Sequence, residues 1–234
     1  MIRIVQQFVG RLACLVTAAL LAGCAKTPHP PAPPPLRTVL FVPGVFGDGP
    51  WYDGLRKAIS EDATLVRTVT WGLPKALFAV NFSNKGVHDD AETKLAGVID
   101  ATTGPLDLVG HSAGCGVILG AIAKAKRPAG RIVLIAPSVS PGYDLTSALS
   151  RTDRLDVFYS DKDTTFLKWR CSTFGTYDAV KTAAAGYSGF TTTHPKLTQH
   201  PYDPAWNDLG HDGGHGGGTA TAFVRKVVRP LLSE

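Results

Sequence analysis

Charged side chains are scarce in this sequence. They make up 18% of its 234 residues, where about a quarter is usual for a globular domain. Basic residues do not gather into patches interleaved with stacking aromatics; Lys124, Lys126 and Arg127 form the densest cluster. That scatter excludes a nucleic-acid partner, despite a formal charge of +5. Only four cysteines occur; Cys14 and Cys24 lie within the first 24 residues, and the two that remain, Cys115 and Cys171, are no disulfide framework. No internal repeat is visible, and the one long apolar stretch, near the N-terminus, is too short to read as a spanning helix.

What is present begins with an N-terminal leader. Arg3 and Arg11 precede an apolar run from Leu12 to Leu21, then Ala22, Gly23 and Cys24. Charge, a short apolar run and small residues, in that order, read as a cleaved export signal over residues 1–23; a plain hydrophobic anchor is the alternative. Setting the leader aside leaves 22 basic and 19 acidic residues, a net charge of only +3. Leu21-Ala22-Gly23-Cys24 resembles the lipobox of bacterial lipoproteins. The resemblance implies a diacylglyceryl group on Cys24 and a lipid-anchored protein of the bacterial cell envelope, with the outer membrane expected where the organism has one, because Ala25 stands where an Asp would signal inner-membrane retention. Residues 24–37 then read as the lipidated cysteine and a tether. Six prolines in 25–37 favour polyproline II and a reach of up to roughly 40 Å.

Residues 38–234 are expected to form one domain, long enough to bury a core without a disulfide. Strand-like and helix-like segments alternate, which predicts a mostly parallel sheet with crossover helices. Strands are expected at Thr38–Val42, Leu65–Trp71, Leu106–Val109, Arg131–Ala136 and Leu155–Tyr159, with a further one near 187–192. Helices are expected over 51–60, 89–102, 112–125 and 219–229. Segments 72–88 and 137–154 are expected to line or cover a pocket, with no large lid domain. Cys115 and Cys171 are read as separate thiols, with a disulfide between them as the alternative.

The chemistry concentrates in Gly110-His111-Ser112-Ala113-Gly114. A G-x-S-x-G sequence between an apolar strand and a small-residue helix sets the serine on a sharp turn and presents its hydroxyl at the sheet edge. A simple helix cap at Ser112 is the plain alternative. The stretch Leu108–Gly114 resembles the lipases and esterases of the α/β-hydrolase superfamily, and the order of elements from about 38 to 233 is similar throughout. The resemblance implies an α/β-hydrolase fold with helices on both faces of the sheet and Ser112 as nucleophile. Phe41-Val42-Pro43-Gly44-Val45-Phe46-Gly47 is similar to the lipase oxyanion loop, with Pro43 where His is usual; this implies backbone N–H donors at Val45 and Ala113.

The same resemblance implies an acid and then a histidine later in the chain. Ser160-Asp161-Lys162-Asp163 follows a strand, and Asp163 fits the acid, with Asp161 as the rival. His215, just before the last helix, fits the base, with His211 four residues earlier as its rival. His111 is expected to fill space beside the nucleophile, and His88, His194 and His200 to lie on the surface or in loops. His211, Asp212 and His215 offer metal-ligand chemistry, but on a flexible glycine loop rather than a fixed helix face, so no metal and no cofactor is expected. The function implied is a serine hydrolase of short- to medium-acyl carboxylic esters, acting on a small-molecule ester or lipid. A non-catalytic envelope lipoprotein that uses the same fold for binding is the alternative.

Overall fold

In the computed structural model, residues 37–61, 64–74 and 77–233 are described. The leader, Cys24 and most of the tether lie outside the described residues.

Six strands form one parallel sheet: β1 (Thr38–Val42), β2 (Leu65–Thr68), β3 (Leu106–His111), β4 (Arg131–Ile135), β5 (Arg154–Tyr159) and β6 (Leu197–Pro201). Their order across the sheet is β2-β1-β3-β4-β5-β6, and every pairing is parallel. Parallel neighbours require crossovers, and helices supply them. The principal helices are α1 (Asp53–Ile59), α2 (Phe78–Ser83), α3 (Lys85–Ala101) and α4 (Ala113–Lys124), with a C-terminal helix from Thr221 through Ser233.

The inner strands are apolar on both sides, as a doubly covered sheet demands. Leu40, Val42, Leu108, Ile132 and Leu134 face one way and pack with Leu95 and Ile99 of α3 and Val117, Ile118 and Ile122 of α4. Val39, Phe41, Val109, Val133 and Ile135 face the other way, against Leu55 and Ile59 of α1 and Phe223, Val224 and Val228 of the C-terminal helix. This alternation fixes register: a slip of one residue would exchange the two cores. α4 is buried along almost its whole length, which explains its Ala, Gly and Cys content. Helix α3 starts at Asn84, whose side chain accepts from the Val87 N–H at 3.1 Å.

Three expectations need correction. The strand placed near 187–192 is absent there; a short helix occupies Ala185–Ser188, and the sixth strand is Leu197–Pro201. The second strand stops at Thr68 rather than Trp71. His88 is not a surface residue: it is buried, bonded to the Asn81 carbonyl at 2.7 Å and stacked on Tyr177. The thiols of Cys115 and Cys171 are both free and buried.

Candidate active site

The site lies at the C-terminal edge of the sheet, where parallel-sheet proteins bind ligands. Ser112 stands between β3 and α4, at the N-cap position of the helix, with φ 56° and ψ −123°. A non-glycine residue held there is strained, and the surroundings must hold it. They do: the Ser112 N–H donates to Ile135 C=O at 3.0 Å, and the Ser112 carbonyl accepts from Cys115 and Ser138 N–H at 3.1 and 3.3 Å. The flanking glycines are sterically required. A Cβ on Gly114 would stand 2.3 Å from the Val42 carbonyl oxygen, and one on Gly110 would stand 2.9 Å from Ile118.

Asp163 sits in the turn after β5 and is 3% exposed. Its two oxygens have separate tasks. Oδ1 caps the segment Thr164–Arg170, accepting from Phe166 and Leu167 N–H at 3.2 and 3.4 Å. Oδ2 accepts from His215 Nδ1 at 2.5 Å, and His215 Nε2 lies 2.9 Å from Ser112 Oγ. A carboxylate only accepts, so the neutral His215 ring carries its proton on Nδ1 and offers Nε2 to the serine hydroxyl. Ser112, His215 and Asp163 thus form one hydrogen-bonded line.

The rival residues are elsewhere. Asp161 is exposed in the same turn. His211 is buried among Trp206, Tyr202 and Phe223, and its Nδ1 accepts from Gly213 N–H at 3.1 Å. Burial pushes its pKa down to about 4.

The loop after β1 is a tight turn, closed by the Gly47 N–H on Gly44 C=O at 2.9 Å. Val45 and Phe46 occupy its corners, so the turn leaves the Val45 N–H unused. Trp71 Nε1 donates to Pro43 C=O at 2.8 Å and fixes the loop's start. Ala113 N–H lies in the first turn of α4, where the helix supplies no acceptor.

His111, expected as filler, does more. Its Nε2 is 2.9 Å from the His215 carbonyl, and its Nδ1 is 2.7 Å from the Tyr52 hydroxyl. Burial pushes its pKa down to about 3, so the ring is neutral. The carbonyl can only accept, which puts the proton on Nε2. The Tyr52 O–H then donates to Nδ1, while its oxygen accepts from Gly44 N–H at 3.1 Å. One chain of bonds therefore joins the loop after β1, the elbow and the loop carrying His215.

A cavity of about 490 Å³ opens beside Ser112 and His215. Phe46, Trp51, Phe82, Phe166 and Leu167 give it an apolar wall, and Arg170, Ser138 and Cys171 also line it. Phe82 belongs to α2, within the segment expected to line a pocket. The Cys171 thiol is pushed up to about 12 by burial, which keeps it protonated and a poor nucleophile. Cys115 is shifted the same way by complete burial.

No protein-family model matches the sequence, and the comparison with curated proteins gives no match. Solved structures do match. An S-formylglutathione hydrolase from Agrobacterium tumefaciens superposes with a TM-score of 0.55 at 15% identity, covering 86% of this chain and 84% of its own. Lipase B of Aspergillus fumigatus gives 0.53 at 13% identity over 88% of this chain, which spans only 56% of that lipase. Est1E from Butyrivibrio proteoclasticus, solved with ferulic acid, gives 0.51 at 11% identity, covering 87% and 92%. The chain has the α/β-hydrolase fold. Ser112 follows β3, Asp163 follows β5 and His215 precedes the C-terminal helix.

Proposed function

We propose that the protein is a serine hydrolase that cleaves carboxylic esters with short to medium acyl groups. The observation that carries this reading is the continuous line Asp163–His215–Ser112, at 2.5 and 2.9 Å, opening onto an apolar cavity. His215 Nε2 takes the proton of the Ser112 hydroxyl as Oγ attacks the ester carbonyl. The oxyanion forms against the N–H groups of Val45 and Ala113, which are rigidly placed and need no reorganisation. The imidazolium, held by Asp163, passes its proton to the leaving alcohol as the C–O bond breaks. Water, deprotonated by the same nitrogen, then releases the acid and restores Ser112.

Labelling by a fluorophosphonate probe, followed by hydrolysis of 4-nitrophenyl esters of increasing chain length, tests the proposal. Wild type labels at Ser112 and prefers short to medium chains. S112A neither labels nor turns over, and H215A loses turnover while H211A keeps it. A folded wild type that never reacts with the probe favours the binding-protein alternative. Residues 1–37 add an independent proposal: lipid attachment at Cys24 holds this domain at the cell envelope. The expected result is incorporation of labelled fatty acid that is lost in C24S.

A further inference from the structure

Four hydroxyl side chains line the cavity among the described residues: Tyr52, Ser112, Ser138 and Thr219. Three are committed. Tyr52 lies between Gly44 N–H and His111, Ser112 faces His215, and Thr219 donates to Gly216 C=O at 2.8 Å. The Ser138 hydroxyl is different: it is buried, on a residue 2% exposed, and has no hydrogen-bond partner among the described residues. Burying an unpaired hydroxyl is unfavourable, and the fold does not need one there. The main chain alone holds this segment. Ser138 N–H donates to Ser112 C=O at 3.3 Å, and Ser138 C=O accepts from Tyr177 N–H at 2.8 Å. The carbonyls of Pro137 and Val139 accept from Gly186 and Ala185 N–H at 2.8 and 2.7 Å. An alanine would be held equally well, so the hydroxyl answers to something other than folding.

We propose that Ser138 is a specificity residue: its hydroxyl pairs with a hydroxyl group that the substrate carries close to the scissile bond, so the cavity selects hydroxylated esters over plain hydrocarbon ones. This rests on the hydrolase reading above. The place follows from the bond to the Ser112 carbonyl, which sets Ser138 beside the nucleophile's own backbone. The reach follows from the side chain: with its main chain held, rotation about χ1 alone turns Oγ toward the cavity. A serine hydroxyl both donates and accepts, so it meets a substrate hydroxyl in either sense. The apolar wall of Phe46, Phe82, Phe166 and Leu167 keeps water from competing for that bond. An ester with a methyl group in place of the hydroxyl leaves Ser138 unpaired, as it is in the free protein. The chemistry is the same whether the hydroxyl belongs to the acyl or the alcohol part, and the substrates below separate the two.

The test measures kcat/KM by pH-stat for two pairs of esters that exchange a hydroxyl for a methyl group. Methyl 3-hydroxybutanoate against methyl 3-methylbutanoate probes the acyl side, and 2-hydroxyethyl butanoate against propyl butanoate probes the alcohol side. The hydroxyl-over-methyl ratio is compared between wild type and S138A, which cancels the esters' own reactivity. For at least one pair the ratio should be about 5- to 100-fold higher in wild type, the scale of leaving a buried hydroxyl unpaired. S138C, which keeps the volume with a weak S–H donor, should lie between. The urea midpoint of S138A should equal or exceed that of wild type, because the hydroxyl it removes is unpaired in the free protein. A ratio no higher in wild type than in S138A for both pairs overturns the proposal. So does a clear drop in the S138A midpoint, which would show the hydroxyl bonded within the fold. Absence of all ester turnover together with absence of probe labelling overturns the hydrolase reading and this inference with it; turnover without hydroxyl selectivity overturns only the inference.

Discussion

Removing a single hydroxyl, in Tyr52→Phe, tests whether the loop after β1 and the His215 loop are tied through the nucleophile elbow. The substitution keeps the ring that packs edge-on against Phe41. It takes away only the oxygen between the Gly44 N–H and His111 Nδ1, both buried. A buried polar group left without a partner costs about 1–3 kcal/mol. Two such groups put the loss of stability at about 2–6 kcal/mol, a large share of the 5–15 kcal/mol of a typical domain. The effect on turnover has a separate ceiling. Complete loss of an oxyanion donor costs about 2.7–4 kcal/mol. In Y52F the Val45 N–H survives and only its support loosens, so kcat should fall about 3- to 30-fold. Urea denaturation measures the first quantity and initial rates on a neutral ester the second. A variant within about 0.5 kcal/mol of wild type and with unchanged kcat would refute the argument, because the hydroxyl would then bridge nothing that matters.

Asp163→Asn should lower kcat by about 10³- to 10⁴-fold, since the amide no longer holds the Nδ1–H tautomer of His215; Asp161→Asn, exposed in the same turn, should stay near wild type in the same steady-state assay. Val45→Pro deletes one expected oxyanion donor at a turn corner that tolerates proline, so kcat should drop about 10²- to 10³-fold while the urea midpoint changes little. His211 is neutral in the fold, with a pKa near 4 against the usual 6.5. Between those values the unfolded chain binds a proton that the folded protein refuses, so stability declines as pH falls through that window. His211→Asn cannot titrate, and its urea midpoint should depend less steeply on pH between 6.5 and 4.

Much of the frame was legible because several demands coincide on few residues. Gly110 and Gly114 had to be small, and the structure gives the reason in the close approach of Cys115 and of the β1 carbonyls. The inner strands announced themselves through continuous apolar runs, which only a sheet covered on both faces needs. β6 escaped for the converse reason. Leu197–Pro201 is an edge strand, partly exposed along its length, and an edge carries polar residues and proline instead of a periodic apolar signal. The gap between Tyr159 and that strand is filled by short helical turns around Asp163, Cys171 and Ala185. Each is too brief for helical periodicity to emerge.

Side-chain roles were less readable wherever the partner is a backbone atom far along the chain. His111 looked like filler because nothing near it in sequence accepts its proton; the acceptor is the carbonyl of His215, 104 residues away. The two late histidines illustrate the same limit. They stand four residues apart on one glycine-rich loop, with equal local chemistry. Packing separates them: His211 is enclosed by Trp206 and Phe223, while His215 stacks on Phe166 in the cavity wall. Phe166 is itself placed by its own N–H on Asp163 Oδ1. The carboxylate that receives His215 Nδ1–H therefore also positions the ring against which His215 rests, and the capping residue of one short segment orients the imidazole twice.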